Sequence, residues 1–131
     1  MKNKEDHSSF KECFRRATNQ LVVLLLLSES PKYVYQITTE LAARSNGAYD
    51  VAFVYPIVNR LKAADYIKER GKMLEKNRSR IYFEITEAGR AYLDSLIEEY
   101  NEMVSATDDL LAPYLSHKKE SSRSNGRENY N

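Results

Sequence analysis

Apolar positions recur at steps of three and four from the first aromatic onward: Phe10, Cys13, Phe14, Ala17, Leu21, Leu24 and Leu25. That spacing predicts an amphipathic helix. Over 21–27 the chain turns apolar all round, which predicts burial on most sides. One face would meet the domain and the other a second subunit. Pro31 disfavours helix at the residue before it, so the helix ends within Ser28-Glu29-Ser30-Pro31. The polar residues 1–9 in front of it read as a flexible end.

A second helical pattern covers 33–45, with Val34, Ile37, Leu41 and Ala42 on its apolar side. Asn46-Gly47 stops it, because glycine enters positive φ without a steric cost. Asp50 then has the place and chemistry of an N-cap. The third helix carries Val54, Ile57, Val58, Leu61 and Ala64 as its stripe. Pro56 is expected in its second turn, with a local bend where one backbone hydrogen bond is missing. Two strand candidates follow. The first covers 66–70, and the second, 80–86, is rich in β-branched and aromatic residues. Gly71 and Asn77 are expected to bend the chain between them.

Thr86 is the expected cap of a fourth helix, with Glu87 in its first turn favourable to the helix dipole. Its stripe runs through Leu93, Leu96, Ile97, Tyr100, Met103, Val104, Thr107, Leu110 and Leu111. An apolar face of that length exceeds what a small domain covers, and predicts a partner helix from a second subunit. Pro113 is expected to end or bend the helix. From about Ser116 the chain offers almost nothing to bury and reads as a disordered tail. The organisation is therefore a flexible start over 1–9, a domain over 10–86, a dimerisation helix over 87–115 and a tail over 116–131. The fold class is mostly α with a small two-stranded β wing, which is a winged helix-turn-helix followed by a long C-terminal helix.

Composition narrows the function. The 131 residues carry a net charge of only +1, so nucleic-acid affinity needs a local concentration of positive charge. The segment between the strand candidates supplies it. Lys68, Arg70, Lys72, Lys76, Arg78 and Arg80 are offset there only by Glu69 and Glu75. A helix followed at once by a basic hairpin suits duplex DNA, with the helix in the major groove and the hairpin along the backbone. The candidate contacts are Ala52, Phe53, Tyr55, Asn59 and Lys62 on the third helix and Lys76, Arg78 and Arg80 on the hairpin. Tyr33 and Tyr35, at the start of the second helix, can reach the DNA backbone. For Tyr35 and Tyr55 core packing stands as the other reading, and for Arg60 an internal ion pair stands beside a DNA contact.

Catalytic chemistry finds no footing. His7 and His117 lie in the polar ends, and the sequence has no Gly-rich phosphate loop and no metal-ligand spacing. No cofactor is expected. The single cysteine, Cys13, excludes an intrachain disulfide and reads as a small buried hydrophobe. The apolar run 21–27 is far short of the ~20 residues a membrane-spanning helix requires.

The local sequences resemble the PadR family of transcriptional regulators. LLLLSESPKYVYQITTEL is similar to the family's LLxxGPxxGYELxxxL. VAFVYPIVNRLKAADYI is similar to its recognition-helix segment, with Tyr55-Pro56 and Arg60-Leu61 in register. RSRIYFEITEAGRAYL is similar to RRKYYxLTExGxxxL. These matches span 18–111, and the single long last helix resembles the smaller subfamily, which includes drug-sensing repressors of efflux pumps. The resemblance implies a cytoplasmic homodimer, joined through its first and last helices, that represses promoters at palindromic DNA. It also implies release by a small molecule, a planar aromatic effector in a pore between subunits. Tyr100 matches the position where a drug-sensing member carries Trp, and Leu21, Leu25, Leu93 and Val104 would line the same space. Two residues depart from the family pattern. Phe53 replaces a small or hydroxyl residue, and Asn59 replaces a lysine. Two other functions remain alongside: a winged-helix protein-interaction adaptor, and a DNA-binding regulator that senses nothing.

Overall fold

The protein's structure, a computed structural model, describes residues 9–129; most of the flexible start and the last two residues of the expected tail lie outside them. The chain forms two compact units, one ending at Ser95 and the other beginning at Leu96. In the first, helix α1 (Phe10–Glu29) starts where the Ser9 hydroxyl accepts the Glu12 N–H at 3.1 Å. Its buried face is Thr18, Leu21, Val23, Leu24, Leu26 and Leu27. Phe10, Phe14, Leu25 and Cys13, placed inside by the apolar pattern, are exposed. Phe10 and Phe14 stack on each other, 6.4 Å between centroids, and line an open groove with Gly47, Ala48 and Tyr49.

Helix α2 (Val34–Arg44) buries Ile37 and Leu41. It ends as the Gly47 N–H donates to the Ala42 carbonyl at 2.9 Å, with Asn46 and Gly47 at φ 53° and 76°. The Asp50 carboxylate accepts the Ala52 N–H at 3.0 Å, as an N-cap does. A single 3₁₀ turn (Val51–Phe53) comes next, and only then helix α3 (Val54–Ala63). Pro56 accounts for this order. It has no N–H to give the Ala52 carbonyl, so an α-helix cannot run from Asp50. The Val54 N–H instead closes the tighter turn on the Val51 carbonyl. Pro56 therefore sits in the first turn of α3, not the second, where no intrahelical bond is lost. Val54, Ile57, Val58 and Leu61 are buried, whereas Ala64 lies outside the helix and is exposed.

The wing is longer than its sequence pattern suggested. Strands β1 (Ile67–Glu75) and β2 (Arg78–Ile85) pair antiparallel from Ile67 against Ile85 to Glu75 against Arg78. Lys76 and Asn77 alone make the turn, at φ 51° and 65°, the handedness that matches the twist of a two-residue hairpin. Gly71 is not part of that turn. It follows a register shift after Glu69, a bulge inside β1. Lys32, in the α1–α2 connection, adds a third edge to the sheet. Its N–H donates to the Phe83 carbonyl at 3.1 Å and its carbonyl accepts the Phe83 N–H at 2.9 Å. The core closes around Leu24, Leu27, Ile37, Val54, Val58, Leu61 and Ile67.

Helix α4 (Glu87–Asn129) starts at Thr86, whose hydroxyl accepts the Gly89 N–H at 3.0 Å and donates to the Asp65 carbonyl at 2.7 Å. Within the first unit Tyr92 stacks on Tyr66 at 4.3 Å and donates its hydroxyl proton to Gln20 Oε1 at 2.7 Å. The second unit is helical through Pro113 and on to Asn129. The helix thus does not stop at Pro113, and the stretch from 116 is helical where the sequence suggested a disordered tail. Once a helix is nucleated, each further residue adds one bond, and Lys, Glu and Arg propagate it readily.

Candidate nucleic-acid interface

Three elements meet at a groove of about 330 Å³: the start of α2, the outer face of α3 and the inner part of the wing. Tyr33, Tyr35, Tyr55, Asn59, Lys62 and Arg80 line it. Sequence spacing left Phe53, Tyr55, Asn59 and Lys62 off the apolar stripe of α3, and the last three line this groove. The fold brings Tyr33 and Tyr35 to the same place from α2, and Arg80 from β2. Tyr35 and Tyr55 are 65% and 64% exposed, so neither is a core aromatic. Their hydroxyls are available to an incoming polar surface.

The electrostatics are not uniform. Lys62 Nζ lies 3.3 Å from Glu69 Oε2, and Lys68 Nζ lies 3.6 Å from Glu84 Oε1. Arg80 has no carboxylate partner among the described residues; its guanidinium lies over the Tyr33 ring, 4.7 Å from the centroid, and 5.9 Å from that of Tyr35. Lys76 and Arg78 are exposed at the far end of the hairpin, flanking its turn, without an ion pair among the described residues. Arg60 is exposed, and none of the ion pairs among the described residues includes it.

Two predicted contacts stand elsewhere. Ala52 and Phe53 line a separate groove of about 380 Å³ with Arg15, Arg16 and Asp50. The Phe53 ring lies against Tyr49, 6.2 Å between centroids, rather than projecting with Tyr55 and Asn59. Tyr49 is itself held, its hydroxyl 2.6 Å from Thr18 Oγ1.

The five ligand-lining candidates are divided between the units. Leu21 and Leu93 are 8% and 5% exposed, packed in the first unit's own core; Leu25 in that unit is exposed. Tyr100 and Val104 belong to the second unit, Tyr100 exposed and Val104 half-buried.

Sequence reasoning missed Glu69 and Lys32. Glu69 enters the groove two residues after the buried Ile67, on the same side of β1 and before the bulge, a placement that needs the strand's orientation against the core. Lys32 is 4% exposed, with its ammonium between Glu40 Oε1 at 3.2 Å and Glu29 Oε1 at 3.7 Å. Glu29 also takes both guanidinium nitrogens of Arg44, at 2.7 and 2.9 Å. Those hydrogen bonds hold the Glu29 carboxyl below its usual range and raise Arg44. Together they fasten the α1–α2 junction beneath the groove. The one available hint was the Glu29-x-x-Lys32 spacing.

Residues 23–95 match the PadR-like family of transcriptional regulators. The chain belongs to that family. This PadR-like chain is 29% identical over 89 residues to an uncharacterized protein of Lysinibacillus sphaericus, covering 66% of this chain and 82% of that one. Its fold is similar to a transcriptional regulator from Clostridium thermocellum, with TM-score 0.66, 24% identity and coverage of 73% and 95% of the two chains. It is equally similar to a PadR-like regulator from Bacillus cereus, at TM-score 0.66, 20% identity and coverage of 74% and 94%. A PadR family regulator from Eggerthella lenta gives TM-score 0.61, 23% identity and coverage of 75% and 85%. PadR-like proteins are DNA-binding transcriptional regulators, not enzymes. No described helix is long and apolar enough to cross a membrane.

Proposed function

We propose that this PadR-like chain acts as a homodimeric repressor that grips a palindromic operator with α3 and the wing. One observation carries the reading: six residues from α2, α3 and β2, four aromatic or amide and two cationic, converge on a single groove. In this arrangement α3 enters the major groove, where Asn59 meets base edges. Tyr35 and Tyr55 meet phosphates beside it, and Lys76 and Arg78 follow the flanking backbone. The wrong register for Phe53 leaves base reading to Asn59 and its neighbours.

A second copy is the natural cover for the apolar residues of the last helix. Met103, Leu110, Leu111, Tyr114 and Leu115 are 64%, 81%, 43%, 63% and 52% exposed. Faces of this kind are buried in a helical seam between subunits. The finer part of the proposal is release by a planar aromatic effector stacked on Tyr100 near Val104. Such a ligand acts only through different affinities for two dimer states. The burial of Leu21 and Leu93 limits their part in such a site. Membership of a regulator family stands against the adaptor reading.

A gel-shift titration against duplex DNA from upstream of the chain's own gene tests the reading. Salt-sensitive retardation is expected. Arg78→Ala/Arg80→Ala should weaken it and lower the logarithmic salt slope by about 0.9 for each phosphate no longer neutralised. Absence of salt-sensitive binding there and at efflux-gene promoters would overturn it. Size-exclusion with light scattering tests the dimer, and a Tyr100→Ala variant that responds to planar drugs as the parent does removes Tyr100 from the effector site.

A further inference from the structure

The aromatic support of Arg80 is the feature that DNA contacts through hydroxyls and charges leave unexplained. Tyr33 has two ring partners. The Arg80 guanidinium lies 4.7 Å from its centroid, and the Tyr82 ring meets it edge-on at 5.3 Å. Tyr35 forms a second, more distant wall at 5.9 Å from the same guanidinium. The rings therefore restrict an arginine that would otherwise sample many rotamers. The guanidinium is also chemically uncommitted. Arg80 Nε is buried without an acceptor, and no carboxylate of the described residues pairs with the side chain. The groove's other cation, Lys62, is already occupied by Glu69 at 3.3 Å.

We propose that Tyr33 is a positioning residue, whose ring rather than its hydroxyl holds Arg80 as a preformed clamp for one backbone phosphate of duplex DNA. The inference rests on the DNA-binding reading and specifies how its central cation works. The two interactions are compatible because they use different parts of the guanidinium. Its flat face rests on the aromatic ring, while its terminal N–H donors, unlike the buried Nε, lie in the plane and can meet a phosphate at the edge of the group. No internal ion pair has to break before the phosphate binds. Lysine cannot substitute, since an ammonium has neither a face to stack nor a planar fork.

The test is fluorescence anisotropy with two fluorescein-labelled duplexes, one of random sequence and one from upstream of the chain's own gene, over a salt series. Tyr33→Phe keeps the ring and is expected to bind within about twofold of the parent, whereas Tyr33→Leu weakens binding about five- to tenfold. Arg80→Ala loses at least as much and lowers the salt slope by about 0.9, and Arg80→Lys does not restore either. Tyr33→Leu/Arg80→Ala is expected to bind no worse than Arg80→Ala alone, the mark of two residues acting as one. Both duplexes should lose affinity equally, because phosphate contacts carry no sequence. A Tyr33→Phe variant as damaged as Tyr33→Leu would assign the contact to the hydroxyl and overturn the proposal. So would additive losses in the double variant, or a loss confined to the upstream duplex. If the parent binds neither duplex in a salt-dependent way, the DNA-binding reading itself fails, which is distinguishable from parent binding that is indifferent to Tyr33. The Leu variants, single and double, also remove the ring that Tyr82 packs on; thermal melts monitor their folding, and the Phe variant keeps that packing.

Discussion

Replacing Gly89 by alanine should destabilise the protein, although the same change in an exposed helix gains about 1 kcal/mol. Gly89 is buried in the first turn of α4. A β-carbon there would overlap the Tyr66 carbonyl oxygen and lie 2.8 Å from Ile85 Cγ1 and 2.9 Å from the Tyr66 carbonyl carbon. That carbonyl cannot swing aside cheaply, because it accepts the Thr86 N–H at 3.0 Å. Overpacking typically costs about 1–3 kcal/mol, and losing the Thr86 hydrogen bond adds roughly 1 kcal/mol. The helix-propensity gain offsets about 1 kcal/mol of this, leaving a net loss of about 1–3 kcal/mol. At roughly 4 °C per kcal/mol, the melting temperature should fall by about 4–12 °C. Thermal melts followed by far-ultraviolet circular dichroism, with urea titration for the free energy, measure it. A Gly89→Ala protein that melts at or above the parent would refute the close approach of α4 to the 65–66 loop.

Further outcomes are expected elsewhere. Glu69→Gln removes the carboxylate that occupies Lys62, so DNA affinity should rise about two- to fivefold at low salt and the gain should shrink at high salt, as read by anisotropy titration. The Glu29 carboxyl is held below its ordinary 4.5 by hydrogen bonds from Arg44. Its stabilisation is therefore present above the unfolded-state value and is lost as pH falls through the lower folded-state one. Glu29→Gln should melt below the parent at neutral pH, and urea titrations across pH should show the gap closing as acid protonates Glu29 in the parent. Replacing Lys76-Asn77 by Asn-Gly suits the positive φ of both turn residues and should raise stability by about 0.5–1 kcal/mol, as urea titration would detect.

Much of the architecture was legible because it depends on local rules. Asp50 and Thr86 cap helices where a short polar side chain precedes an apolar stripe. Gly47 ends α2 at positive φ, and Val54, Ile57, Val58 and Leu61 face inward at helical spacing. The misplacements have physical causes of longer range. Phe10, Phe14 and Cys13 follow a helical period, but a period gives a face and not what lies opposite it. Gly71 looked like a turn residue, yet the turn fell where Lys76 and Asn77 could take positive φ together, and the glycine served a bulge. At the groove, Tyr55, Asn59 and Lys62 followed from α3 alone. The meeting of Arg80 with Tyr33 and Tyr35 could not follow, since it depends on strand register and on how α2 approaches the sheet.

The double hydrogen bond between Lys32 and Phe83 divides the wing into two kinetic regions. Near Phe83 and Ile85 the backbone is pinned from three sides, so those amides should exchange with solvent only when the whole unit opens. Beyond Gly71 the ribbon has two strands and no further cover within the sheet, so exchange there should proceed through local fraying. Arg80 pairs with Met73, beyond Gly71, so in a hairpin stiff at its base and loose toward its tip the Tyr33 ring holds Arg80 while Lys76 and Arg78 follow whatever groove width the flanking duplex presents. The ordering of the tip then falls on the binding step, so its cost in entropy varies with the DNA outside the recognised half-site. Flanking sequence would in this way adjust affinity at base pairs that no side chain reads.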